Sequence, residues 1–159
     1  AALVALTLFE SLLAAPLFFV GAGNPISGWI AATIAHTTTI RNQLCDLVVD
    51  AVDGGTTDSS GDIAIYTASF ATLLCTINFA APPAFGAAAN GAASATSLPR
   101  TGTAVASGTA AVFRMRNRDN TELLNGSVGT SGQDMNLSST TIATNDEISL
   151  NTITYTAAP

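Results

Sequence analysis

The 159-residue chain predicts a mostly β protein: one antiparallel sandwich of about seven or eight short strands, with a single amphipathic helix and an apolar segment ahead of it. Three observations carry that expectation. Beyond Gly61 the chain breaks into short β-rich runs separated by Gly, Pro, Asn and Ser. Between Thr37 and Gly55 the apolar residues instead recur at spacings of three and four. The positive mean hydropathy, +0.41, is concentrated at the start, where Ala1 to Val20 carries one charge, Glu10.

The first segment, AALVALTLFESLLAAPLFFVGAG, has the length of apolar chain that spans a bilayer as a helix, about 20 residues. Pro16 interrupts a helix, Glu10 is costly at mid-bilayer, and no Lys or Arg precedes the run as a signal peptide requires. The chain begins without Met, which fits processing, a fragment or an upstream extension of the reading frame. Residues 1–36 are therefore expected to act as an anchor, an assembly arm or such an extension, and residues 37–159 as the folded domain.

The helix is expected from about Thr38 to Val52, with a Thr of the 37–39 run as N-cap and Gly54 and Gly55 as the stop. Its stripe of Ile40, Leu44, Leu47, Val48 and Val52 is expected to face the core, and Asp46, Asp50 and Asp53 to lie on the solvated opposite face. Strands are expected at Asp62 to Thr67, Thr72 to Phe79, Gly91 to Thr96, Thr109 to Arg116, Thr121 to Val128, Asp134 to Leu137 and Glu147 to Tyr155. Pro82 and Pro83 exclude a central strand between the second and third. In Thr109 to Arg116, Phe113 and Met115 alternate with Val112, Arg114 and Arg116, and the polar Arg118, Asp119 and Asn120 predict a hairpin to the next run. Ile148, Leu150 and, past a register irregularity, Ile153 are expected to face the core. The sandwich these runs predict is Ig-like or jelly-roll-like.

Charge and chemistry narrow the function. All five cations are Arg, eleven carboxylates bring the net charge to −6, and such a balance argues against nucleic-acid binding, which relies on clustered Lys and Arg. His36, the only histidine, has no nucleophile and third partner that can be tied to it, so neither catalytic residues nor a cofactor are expected. The Asp46, Asp50, Asp53, Asp58 and Asp62 cluster lacks the alternating ligand spacing of a calcium loop, and no metal site is expected. Cys45 lies in the helical pattern and Cys75 in an apolar run, which favours two buried free thiols over a disulfide. Arg114, Arg116 and Arg118 alternate along one strand and so are expected to project from one face of the sheet, as candidates for an inter-subunit contact with the Asp46, Asp50, Asp53 face of a neighbouring copy.

Several segments carry a resemblance. The helix opening at Arg41 and Asn42, PAFGAAANGAASAT from Pro83, GTAAVFRMRNRDN from Gly108 and NGSVGTSGQDMNLSSTTI from Asn125 to Ile142 stand in one order over about three quarters of the chain. In these segments the chain resembles small virion-associated structural proteins of tailed bacteriophages, often marine, with Gly129 to Leu137 the most specific block. Residues 1–36 precede the point where that group begins. None of the shared motifs is catalytic. The resemblance implies a virion structural component, a head decoration, minor capsid, tail or fibre protein, whose partners are copies of itself and other virion proteins. LTLFESLLA, Leu6 to Ala14, is weakly similar to the start of a type IV pilin. It supports the alternative of an extracellular or cell-surface filament subunit or adhesin held by its apolar N-terminus, the one route by which a membrane would enter.

Overall fold

The structure, a computed structural model, describes residues 35–157. The apolar segment, with its anchor and pilin-like readings, lies outside the described residues. The described chain is mostly β with one helix, and its main sheet is antiparallel except at one edge.

Helix α1 runs Thr38–Asp50 and tightens into a 3-10 turn at Ala51–Asp53. Thr37, extended at φ −62° and ψ 156°, caps it, its hydroxyl accepting the Ile40 N–H at 3.4 Å. Eleven strands follow: β1 Asp62–Tyr66, β2 Leu73–Asn78, β3 Ala92–Ser94, β4 Arg100–Thr103, β5 Gly108–Thr109, β6 Val112–Arg116, β7 Glu122–Gly129, β8 Met135–Asn136, β9 Thr141–Ile142, β10 Glu147–Leu150 and β11 Thr154–Thr156. All seven expected runs contain a strand. The last one breaks at Asn151–Ile153, and its halves pair with different partners, β10 with β4 and β11 with β3.

The main sheet has the order β2-β1-β6-β7-β8, with β6 and β7 forming the expected hairpin and β8 adding in parallel at Val128 and Gly129. A single bridge, Cys75 to Ala104, and the 2.8 Å bond from the Val105 N–H to the Leu74 carbonyl bring the β10–β4 ribbon beside β2. The result is a curled, half-barrel-like sheet. Gly102 makes that approach possible, because a Cβ there would collide with the Thr76 carbonyl oxygen.

Register sorts the side chains of the central strands. Ile63 stands opposite Ile77 and Met115, and Ile65 opposite Cys75 and Phe113, so one row of apolar side chains builds the inner face. These six are buried and belong to one cluster with Leu74, Phe79, Phe85 and Leu150. Burying each large side chain contributes about 1.5–3 kcal/mol. The other row sets Asp62 opposite Arg116 and Ala64 opposite Arg114, placing opposite charges side by side on the outer face.

The helix packs with a different face from the one its large apolar residues mark. Cys45, Val49 and Val52 are buried, while Ile40 is 42 %, Leu44 40 % and Leu47 71 % exposed. The expected core stripe is corrected accordingly. Only Val52, in the 3-10 turn, keeps its predicted place. The physical reason lies in the polar side chains of the inward face, which hold the backbone of the loop beneath. Asn42 Oδ1 accepts the Gly91 N–H at 2.7 Å, Asp46 Oδ1 the Ala88 N–H at 2.7 Å, and both Asp53 carboxylate oxygens the Ala84 N–H at 3.1 Å. The 84–91 loop thus finds acceptors for three N–H groups that strand pairing leaves unmet, and small Cys and Val side chains let the helix approach closely enough to supply them.

Candidate interaction surface

Two surfaces follow from this framework, the outer face of the central strands and the outward face of α1. On the first, Arg116 forms a fork with Asp62: Nε to Oδ1 and a terminal nitrogen to Oδ2, both at 2.8 Å. The Asp62 and Arg116 side chains are only 8 % and 18 % exposed. The Asp62 hydrogen bond, ahead of all other influences, raises the Arg116 pKa further above its ordinary value.

Arg114 lies over the Phe70 ring at 4.2 Å and the Tyr66 ring at 5.3 Å, with Nε 2.9 Å from Glu122 Oε2. That Nε is ion-paired by distance but out of line for a hydrogen bond. Ser69 and Phe70 adopt left-handed φ values of 57° and 55°, a conformation costly for a bulky residue, in the turn that carries the Phe70 ring to Arg114. Arg118 donates from Nε to the Asp58 carbonyl at 2.8 Å. Its neighbour Asp119 accepts the Thr56 N–H, the Thr57 N–H and the Thr57 hydroxyl within 3.0 Å, bonds that hold its pKa below the ordinary carboxylate value.

The three arginines and three aspartates expected to meet across subunits are therefore placed as follows. Arg114, Arg116, Arg118, Asp46 and Asp53 each take a partner within the same chain, and Asp50 is exposed at the end of α1. Arg114 and Arg116 do share one face of β6, as the alternation predicts, and Arg118 follows in the turn.

The second surface was invisible to periodicity as a surface, because periodicity marked it as core. Ile40, Leu44 and Leu47 follow one another at spacings of four and three on the solvent side of α1. They are three of the four large apolar side chains exposed among the described residues, the fourth being Val105. Side chains at these spacings form one continuous ridge, the same arrangement that forms the seam of paired helices.

A cleft of about 800 Å³ opens between β6–β7–β8 and the 148–156 stretch. Its floor includes Phe113, Met115 and Ile148, and its rim carries Asn125, Asp134 and Asn151. Asp134 accepts the Ser127 hydroxyl at 2.6 Å and the Ser127 N–H at 2.9 Å, which lowers its pKa and ties the β8 approach to β7. Asp134 and Tyr155 are the ionisable side chains of the lining.

Cys45 and Cys75 are buried free thiols, as expected, and burial raises both pKa values, with the Asp46 charge adding to the effect at Cys45. His36 is exposed just before the helix cap. Among the described residues no group of three or more His, Cys, Asp and Glu side chains is arranged to hold a metal ion, and no helix is long and apolar enough to cross a membrane. Comparison of the chain with family models, with curated proteins and with solved structures found no match.

Proposed function

We propose that this chain is a structural subunit of a bacteriophage virion, a head decoration, minor capsid, tail or fibre component, and that it acts by contact with copies of itself and with other virion proteins rather than by catalysis. One observation carries the reading. The charged side chains are largely engaged inside the domain, whereas large apolar side chains are displayed on one ridge of α1, directly after a strongly apolar N-terminal segment. Soluble single-chain domains rarely leave contiguous apolar surface uncovered, and a contact surface is its usual meaning. The resemblance over Arg41 to Pro159 supplies the setting, a virion. In the same reading the curled sheet and the β10–β4 and β11–β3 ribbons form the two layers of an Ig-like or jelly-roll-like sandwich.

Mass spectrometry of purified particles tests this. The protein should be present at a fixed, repeated copy number relative to the major capsid protein. Its absence from particles, with recovery in the envelope or secreted fraction of the cell, would overturn the virion reading in favour of a surface filament or adhesin.

A further inference from the structure

Asn90 and Gly91 close a two-residue turn between Ala89 and Ala92, whose backbones exchange hydrogen bonds of 2.8 and 3.0 Å. Both turn residues are left-handed, at φ 54° and 78°, the conformation for which Asn-Gly is preferred in tight hairpins. Asn-Gly is also a chemically labile pair, because glycine has no side chain to shield its backbone nitrogen from the asparagine amide carbon. Asn90 is exposed, whereas Gly91 is buried. We infer that Asn90 is a site of spontaneous deamidation to aspartate and isoaspartate, and that Asn42 of α1 sets the rate by holding the attacking nitrogen.

In the reaction the Gly91 nitrogen gives up its proton to solvent and bonds to Asn90 Cγ. The Cγ–Nδ2 bond breaks, and the amide nitrogen leaves as ammonia after taking a proton from solvent. Water then opens the cyclic imide at one of its two carbonyls, leaving aspartate or isoaspartate, and nothing is oxidised or reduced. Three contacts oppose the first step. The Gly91 N–H donates to Asn42 Oδ1 at 2.7 Å, and the Gly91 carbonyl accepts the Ala157 N–H at 2.8 Å. A Cβ on Gly91 would stand 2.8 Å from the Arg41 guanidinium, so the peptide lies pressed against α1. The first contact keeps the proton on the nitrogen, and the other two resist the rotation that ring closure needs. Deamidation therefore follows the lifting of α1. Isoaspartate, which adds a backbone atom to the turn, then opposes the return of the helix.

The chain carries a second Asn-Gly pair, Asn125–Gly126, in which the pairing of β7 with β6 sets Gly126 opposite Phe113. It serves as an internal control. Peptide mapping by mass spectrometry follows both pairs in the full chain during incubation in mildly alkaline buffer, with and without urea. Both should react slowly in buffer and at similar, faster rates in urea. Asn42→Ala should speed Asn90 by about tenfold, the worth of one lost hydrogen bond, and leave Asn125 at the parent rate. Asn42→Asp keeps an acceptor and should stay near the parent. Asp46→Ala, which frees only the Ala88 N–H, should also leave Asn90 slow.

The proposal is overturned if Asn90 in the folded parent reacts at its urea rate, if Asn42→Ala leaves it unchanged, or if Asp46→Ala speeds it equally. A rise at both pairs in Asn42→Ala would report unfolding, and hydrogen exchange of the parent then decides. A protected Gly91 amide supports the proposal, and one that exchanges as freely as an exposed turn amide overturns it.

Discussion

The inward and outward faces of α1 are made of the same thirteen residues and obey different rules. Inward, Asn42, Asp46 and, in the 3-10 turn that follows, Asp53 satisfy backbone N–H groups of the 84–91 loop, and Cys45, Val49 and, in the same turn as Asp53, Val52 fill the space between. Outward, Ile40, Leu44 and Leu47 are larger and more hydrophobic, yet they stay outside the buried core and exposed to solvent. Fold stability here depends on small side chains and satisfied polar atoms. The larger hydrophobic residues of the helix are left on its solvent side. The sheet repeats the pattern on its outer face, where the fork of Arg116 and Asp62 neutralises charge inside the domain.

The comparison is tested most severely by placing the same carboxylate on each face. Val49→Asp buries an unpaired charge at a site 1 % exposed, a change expected to cost more than about 4 kcal/mol and to leave no folded domain by circular dichroism. Leu47→Asp should change the chemical-denaturation free energy by less than about 0.5 kcal/mol when measured at high dilution. Equal losses from the two would abolish the distinction between the faces.

Next in size is the outer-sheet fork. Asp62→Ala leaves Arg116, whose side chain is 18 % exposed in the intact fold, without its partner, and a loss of about 2–4 kcal/mol in urea unfolding is expected. Arg114→Gln, at a side chain 34 % exposed, should cost less than about 1 kcal/mol. If the order were reversed, the stack of Arg114 on Phe70 and Tyr66 would be the stronger tie.

Asp53→Ala removes both acceptors of the Ala84 N–H and should cost about 1–3 kcal/mol. Asp50→Ala, exposed at the helix end, should be nearly silent in the same assay.

The smallest effect expected is a pH dependence. Asp119 and Asp134 are held below the ordinary carboxylate pKa by hydrogen bonds from Thr56 and Thr57 and from Ser127. A carboxylate with a depressed folded-state pKa stabilises fully above its unfolded value of about 3.9, and that contribution is lost as pH falls through the folded value. Thermal midpoints should therefore decline below about pH 4. Asp119→Asn should lessen the decline, and an unchanged acid limb would show that these bonds do not persist in solution.

Much of the fold was legible in the sequence where the signal is local. The helix limits followed from Thr37 and the Gly54–Gly55 stop. The β6–β7 hairpin followed from alternation ending in the polar Arg118–Asn120 turn. β4, β5 and β9 were missed because strands as short as Gly108–Thr109 or as polar as Arg100–Thr103 are defined by their partners rather than by their own pattern. The rotation of α1 was illegible for the same reason. Hydrophobic spacing locates the apolar ridge, but the bonds that turn it outward reach residues 31 to 49 positions away. The arginine pattern on β6 could be read, and its partner could not, since Asp62 lies 54 residues before Arg116.

Sedimentation equilibrium on the full chain and on its Leu44→Glu/Leu47→Glu variant separates association from folding, because the ridge is assigned to the first and not to the second. The parent should exceed the 16.0 kDa monomer mass with rising concentration. The variant should shift strongly toward monomer while keeping the parent's circular dichroism. A variant that associates as the parent does, or that unfolds, would place Ile40, Leu44 and Leu47 back among ordinary surface or core residues.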